Sequence, residues 1–259
     1  MAKPQNKEER QRAITEFVLE HGSVKIDDLQ QLVSVSPMTL YRDLHDLEVG
    51  RIIDRFRGEV TAVATTLSET SMRYRLEHDL DQKEALAGAV RPYITRGMSV
   101  LLDDSSTAYS MIASLMDVPS LTVITNNWNI IQLAIENPKW DLITIGGQYD
   151  RHLDAHFGPA AIDMLGRIRA DVAIVSAAAV TDGIVYHPYE NVAAYKDVMR
   201  RAARKSFLAA ATTKFQRSAL YRVGDTADYD AVIVEEDLDD EVVSDLEGRG
   251  AIVIRAKAQ

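Results

Sequence analysis

Cysteine is missing altogether from the 259 residues. That excludes disulfides and cysteine-ligated zinc, and it fits a reducing cytoplasm. No apolar run approaches the roughly 20 residues that a membrane span needs. The N-terminus is polar and runs directly into a helix pattern, so no signal peptide is expected. Internal repeats and low-complexity segments are absent as well. The six histidines, His21, His45, His78, His152, His156 and His187, show no metal-site spacing. His152 and His156 stand four apart, but Gly158-Pro159 follows at once and makes the segment a loop. Neither a metal nor a cofactor is expected. A basic excess is lacking too: 29 Lys and Arg against 39 Asp and Glu give a formal net charge of −10. A nucleic-acid binder with that balance must concentrate its cations on one face.

What is present begins with a strong helix start at Ser34-Val35-Ser36-Pro37-Met38-Thr39-Leu40-Tyr41-Arg42-Asp43-Leu44-His45-Asp46-Leu47-Glu48. Ser36 is a good N-cap, because its hydroxyl accepts from a free N–H of the first turn. Pro37 at the first helical position gives up no hydrogen bond. Leu40, Leu44 and Leu47 form one apolar stripe, while Met38, Arg42 and His45 point the opposite way, with Thr39 and Tyr41 on the shoulders. A helix near Lys7 to His21, with Ile14, Phe17 and Val18 inward and Gly22 as C-cap, precedes a short one carrying Ile26, Leu29, Leu32 and Val33. Helix, short helix, three-residue turn and longer helix make the helix-turn-helix order, whose last helix enters the DNA major groove. Arg51 to Val60 reads as a small hairpin, a wing that offers Arg51, Arg55 and Arg57 to phosphates. Lys3, Lys7, Arg10, Arg12 and Arg42 complete a basic stripe on a mildly acidic domain. That stripe implies modest non-specific affinity and reliance on a symmetric oligomer, a dimer or tetramer.

These residues resemble the DeoR/GlpR family of bacterial sugar-metabolism repressors, whose pattern is S-x-x-T-[IL]-R-R-D-L-x-x-L, a following glycine and an H-G-G-A wing. Here the first arginine of the pair is Tyr41, the wing stretch is Phe56-Arg57-Gly58-Glu59, and Lys25 stands where the second helix begins on Ser or Thr in the family. The resemblance implies that Ser36, Met38, Thr39, Tyr41, Arg42, His45, Arg55 and Arg57 face double-stranded operator DNA. It also implies that Tyr41 serves an operator unlike the common one.

Thr61 to Asp81 is a polar, charge-mixed connector. The expected division is a winged helix-turn-helix domain over 1–62, a linker over 63–80 and an α/β domain over 81–259. In the last, helix patterns at Lys83–Thr95, Thr107–Met116, Trp128–Glu136, Pro159–Ile168 and Asn191–Lys205 alternate with apolar runs. Those runs are Ser99–Leu102, Leu121–Thr125, Leu142–Ile145, Val172–Val175, Phe207–Ala211, Ala231–Val234 and Ala251–Ile254. Such alternation makes a largely parallel sheet with helices on both faces, whose ligands sit at the carboxyl ends of the strands. Those ends are polar in concert: Asp103-Asp104-Ser105-Ser106-Thr107, Thr125-Asn126-Asn127, Gly146-Gly147, Ser176 to Ala179, and Thr212-Thr213-Lys214. Singly each is a cap or a turn; together they suit an anionic ligand at a helix N-terminus.

This half resembles the family's Rossmann-like sensor domain, itself similar to ribose-5-phosphate isomerase, glucosamine-6-phosphate deaminase and the CoA transferases. Leu102 to Thr107 matches L-D-x-G-T-T with Ser105 for glycine, Leu121 to Asn127 matches L-T-V-[VI]-T-N-[SN], and Ile145-Gly146-Gly147 matches I-G-G. Glu190 and Lys196 match E-x(5)-K, and Thr213-Lys214-Phe215 matches S-K-F. The resemblance implies a phosphorylated sugar or related effector, held by Asp103, Ser105, Ser106, Thr107, Thr125, Asn126, Gly146, Gly147, Lys196 and Lys214. In that picture the hydroxyls and Lys214 take the phosphate and Asp103 braces the loop or takes a sugar hydroxyl, while Lys196 reaches the sugar end. The family's G-A-[DS]-G-[IV] is Ser176-Ala177-Ala178-Ala179-Val180 here. Either the ligand is unusual or its affinity is weakened. Three readings stand: a ligand-sensing repressor, a sugar-phosphate isomerase or deaminase with an accessory domain, and a regulator that has lost its ligand. The loss of a carboxylate at Ala178 speaks against the enzyme, which needs a base near the sugar carbons.

Overall fold

The structure is a computed structural model that describes residues 6–21, 23–50, 52–56, 58–62 and 72–257. The chain folds as two compact units, Met1–His78 and Asp79–Gln259. No helix among the described residues is long and apolar enough to cross a membrane.

In the first unit, helix α1 (Lys7–His21) is followed by strand β1 (Ser23–Lys25), α2 (Ile26–Val33), α3 (Pro37–Val49), β2 (Ile53–Phe56), β3 (Glu59–Ala62) and α4 (Met72–Leu76). Asn6 and Glu9 close the start of α1 reciprocally, Asn6 Oδ1 accepting from Glu9 N at 2.8 Å and Glu9 Oε2 from Asn6 N at 3.4 Å. Between α2 and α3, Ser34 takes a left-handed φ of 51° and its N–H returns to Gln30 O at 2.9 Å, which ends α2 abruptly. Ile14, Val18, Leu29, Val33, Leu40, Leu44, Leu47, Ile53 and Val60 form the core. The wing is larger than the expected hairpin. β1 pairs antiparallel with β3, so the sheet has three strands in the order β1-β3-β2. The expected connector contains α4, whose Met72 is fully buried.

The second unit opens with α5 (Leu80–Val90) and continues β4 (Ser99–Leu102), α6 (Ser106–Ser114), β5 (Thr122–Thr125), α7 (Trp128–Ile135) and β6 (Asp141–Thr144). A short hairpin of β7 (Gln148–Asp150) and β8 (Ala155–Phe157) leads to α8 (Pro159–Gly166), β9 (Ala170–Ser176), β10 (Ala179–Thr181) and β11 (Ile184–His187). Then come α9 (Glu190–Arg201), β12 (Ala203–Ala210), β13 (Tyr221–Asp225), β14 (Ala231–Glu235), α10 (Asp240–Gly248) and β15 (Val253–Ala256). Seven strands form one parallel sheet, β15-β14-β12-β9-β4-β5-β6. One core holds Leu86 and Val90 of α5, Met111 of α6 and Ile130 of α7; the other holds Leu165 of α8, Tyr195 and Met199 of α9 and Leu246 of α10. Helices therefore cover both faces, as the near-continuous apolar strands require.

Two expectations are corrected, and one sheet is added. The helix expected to run to Lys205 stops at Arg201, and β12 begins at Ala203 because its residues pair with Ala170 to Ser176 of β9. His152 and His156 are not in a plain loop: His152 is in the β7–β8 turn and His156 in β8. A second sheet, β10-β11-β13, follows β9, with Asp182-Gly183 as its first turn.

Candidate DNA-reading helix and candidate ligand site

Ser36 sits at φ −64° and ψ 150°, and its hydroxyl accepts from Thr39 N at 3.2 Å. Ser36 Oγ and Thr39 Oγ1 are also 2.9 Å apart. The expected cap is thus in place, and it occupies both hydroxyls. Leu40, Leu44 and Leu47 are fully buried, whereas Met38, Tyr41, Arg42 and His45 are exposed. Met38, Tyr41, Arg42 and His45 make no hydrogen bond or ion pair among the described residues.

Three other cations of the first unit, Lys7, Arg10 and Arg55, are committed internally. Arg10 Nε donates to Asp43 Oδ2 at 2.8 Å and its Nη2 to Oδ1 at 3.3 Å, a fork on a carboxylate that is itself fully buried. Asp43 joins the stripe of Leu40, Leu44 and Leu47, and with Arg10 ties α3 to α1. Sequence reasoning missed this role for both residues, although an acid on an otherwise apolar stripe is a signal that a partner must exist. Lys7 pairs with Asp46 at 3.0 Å. Arg55, expected at phosphates, is held by Glu48: Arg55 Nε donates to Glu48 Oε2 at 2.9 Å and Nη2 reaches the same oxygen. That guanidinium keeps the Glu48 carboxyl below its ordinary value. In this arrangement the charge expected to face DNA is paired with the last turn of α3. Glu59 accepts from Ser23 Oγ at 3.2 Å, which ties β3 to β1. Arg51, Arg57 and the expected Gly22 cap lie outside the described residues.

In the second unit the chain runs from β4 to β6 on one side and returns to β9 on the other, so the strand order reverses between β4 and β9. Ligands of doubly wound sheets bind at that crevice. Asp103, just past β4, is fully buried there and spans it. Its Oδ1 accepts from Ser105 N at 3.0 Å, and its Oδ2 from Ser176 N at 2.6 Å and Lys196 Nζ at 2.5 Å. Burial alone would raise the Asp103 carboxyl, but the Lys196 charge and these hydrogen bonds hold it below the usual carboxylate value. Lys196 also lies 3.2 Å from Asp104 Oδ1 and is 2% exposed. Its ammonium is therefore bound to two carboxylates instead of reaching toward a sugar, which corrects that expectation. The Tyr195 hydroxyl beside them has no hydrogen-bond partner among the described residues; burial, then Asp104 and Asp103, push its pKa well up.

Ser105 is the N-cap of α6, its hydroxyl accepting from Ala108 N at 2.9 Å. Ser106 is buried and Thr107 half-buried on the first turn. Thr125 Oγ1 accepts from Asn127 N at 3.1 Å, and Asn127 caps α7 by accepting from Ile130 N at 3.0 Å. Asn126 donates through Nδ2 to His156 O at 2.9 Å, and its buried Oδ1 has no donor among the described residues. Gly147 is required by packing: at φ 146°, an added Cβ would lie 2.5 Å from Phe157 O. Gly146, by contrast, has open space where a Cβ would be. Lys214 lies half-buried in a short 3-10 turn, Thr212–Gln216, beyond β12. Ala177, Ala178 and Ala179 are all buried. Among the described residues no cluster of three His, Asp or Glu side chains is arranged for a metal.

Comparison with known proteins matches residues 10–66 to the DeoR-like helix-turn-helix domain and residues 78–236 to the DeoR C terminal sensor domain. The chain is 28% identical over 221 residues to the HTH-type transcriptional repressor CsqR of Escherichia coli, covering 85% of this chain and 84% of that one. It is 27% identical over 230 residues to the L-fucose operon activator of the same organism, covering 88% and 94%. Among solved structures, ribose 5-phosphate isomerase A from Methanocaldococcus jannaschii covers 56% of this chain and 55% of its own, at 16% identity and a TM-score of 0.37. With a DNA-binding helix-turn-helix unit matched at its start and a sensor unit over most of the remainder, the chain belongs to the DeoR family of transcriptional regulators.

Proposed function

We propose that the protein represses a carbohydrate-metabolism operon as a symmetric oligomer, that α3 reads the operator, and that a phosphorylated sugar or related metabolite controls it from the second unit. The observation that carries the DNA reading is the contrast among arginines. Arg10 and Arg55 are bound to carboxylates, while Arg42 stands exposed on the outward face of α3 with no ion pair among the described residues. A guanidinium kept unpaired on a helix fixed at both ends suits bidentate recognition of guanine. Repression follows the precedent of CsqR, and the L-fucose operon activator marks the opposite sign as the competing outcome.

The effector reading rests on the N-terminus of α6 at the switch point, where Ser106 and Thr107 join free backbone N–H groups and the positive end of the helix. Lys214 supplies a point charge to the phosphate. Asp103 and Lys196 brace the loop from beneath. Geometry argues against isomerase or deaminase chemistry. Asp103 already accepts three hydrogen bonds, and Asp182 lies in an exposed turn at φ 52°. Arg42→Ala tests the central claim. Specific binding should weaken by about 1–3 kcal/mol while the melting curve stays in place. Operator affinity equal to the parent's in the same salt would show that α3 is not the reader.

A further inference from the structure

The outward face of α3 is more apolar than a solvent face needs to be. Met38 is 84% exposed, Tyr41 50% and Val49 52%. With Arg42 and His45 they follow helical spacing and form one stripe opposite Leu40, Asp43, Leu44 and Leu47. A helix side meant only for water carries polar and charged residues. Here the only full charge on the stripe is Arg42.

Position along the helix decides what the apolar groups can meet. Met38 is the second residue of α3 and Tyr41 the fifth, and the N-terminal residues of such a helix are the ones that contact base edges. Val49 is at the far end. On major-groove edges the apolar feature is the thymine 5-methyl group. A thioether is unbranched and polarisable and moulds itself to an irregular apolar surface, and a phenol ring brings a broad face with one polar tip. Met38 also lies one turn before Arg42, so the two side chains address neighbouring base pairs. Resting on the DNA reading above, we propose that Met38, flanked by Tyr41, recognises thymine, so that each half-site sets a thymine beside the guanine read by Arg42.

The full-length protein is used to select duplexes from a randomised pool at one fixed salt concentration. Each thymine of the enriched half-site is then replaced singly by deoxyuridine, which removes only the methyl group, and affinity is read by fluorescence anisotropy. For the parent, deoxyuridine at one or two positions should weaken binding about fourfold per buried methyl. Met38→Ala should bind the thymine and deoxyuridine duplexes alike at the affected position, and Met38→Leu should keep the difference. Met38 is exposed, so neither change threatens the fold. If every deoxyuridine duplex binds like the parent duplex, or if the methyl penalty survives in Met38→Ala, the thymine assignment is wrong and the DNA reading stands. If no sequence is enriched at all, the DNA reading falls and the thymine assignment with it.

Discussion

Replacing Lys196 by methionine keeps most of the length of the stem and removes the ammonium. The parent ammonium lies 2.5 Å from Asp103 Oδ2 and 3.2 Å from Asp104 Oδ1, with side-chain exposures of 3%, 0% and 1%. Without it, two carboxylates face each other beneath the sheet ends. Removing one partner of a buried pair costs about 3–5 kcal/mol, because the remaining charge is left uncompensated. Domain stabilities of about 5–15 kcal/mol make that a large fraction. The loss should depend on pH with a definite sign. In the parent, the folded Asp103 pKa lies below its unfolded value, so its contribution is complete above the unfolded pKa. It fades only as the pH falls through the lower, folded value. In Lys196→Met the hydrogen bonds from Ser105 N and Ser176 N remain, but the charge that most opposes burial is gone, and the folded pKa of Asp103 rises above the unfolded one. The native state then takes up protons first, and the variant recovers stability as the pH falls. The difference between parent and variant should therefore be larger near pH 7 than near pH 5. Urea denaturation followed by far-UV circular dichroism at both pH values measures it, provided that the slopes agree. A loss below about 1 kcal/mol near pH 7, or one that is the same at both pH values, would refute the reasoning.

Two further outcomes are expected. Titration calorimetry with a panel of sugar phosphates should find a ligand whose affinity drops by about 1.5–3 kcal/mol in Lys214→Ala; equal affinity would remove Lys214 from the phosphate site. Arg55→Ala should leave the slope of log affinity against log salt unchanged, because Glu48 already neutralises that guanidinium. A slope reduced by about one would mean that Arg55 leaves Glu48 for a phosphate.

What is legible in the sequence is local or periodic. Ser36 and Pro37 announce the start of α3 through groups within three residues, and Leu40, Leu44 and Leu47 report its buried side by spacing alone. The parallel sheet can be read because runs such as Val172 to Val175 are apolar on both faces. What escapes depends on partners distant in sequence. Arg10 meets Asp43 across 33 residues, and Lys196 meets Asp103 across 93. Nothing near Lys196 indicates that its charge turns inward. The strand Ser23–Lys25 and the β7–β8 hairpin are only three residues per strand, too short for alternation to show. The helix before β12 reads too long in the sequence because Ala202 and Ala203 favour a helix. Sheet pairing with β9 overrides that preference.

The tandem glycines after β6 have opposite freedoms to vary. At Gly147 even one methyl would press on the Phe157 carbonyl, so this position is closed to every other side chain while the hairpin keeps its seat. At Gly146 there is room for a side chain. If these glycines line the proposed effector site, a lineage that changed its effector could not redraw it at the second glycine without first moving the hairpin and α8 behind it. At the first it could add a methyl or a hydroxyl in one codon step. Divergence of ligand preference along this loop should therefore be recorded at residue 146, with residue 147 standing still.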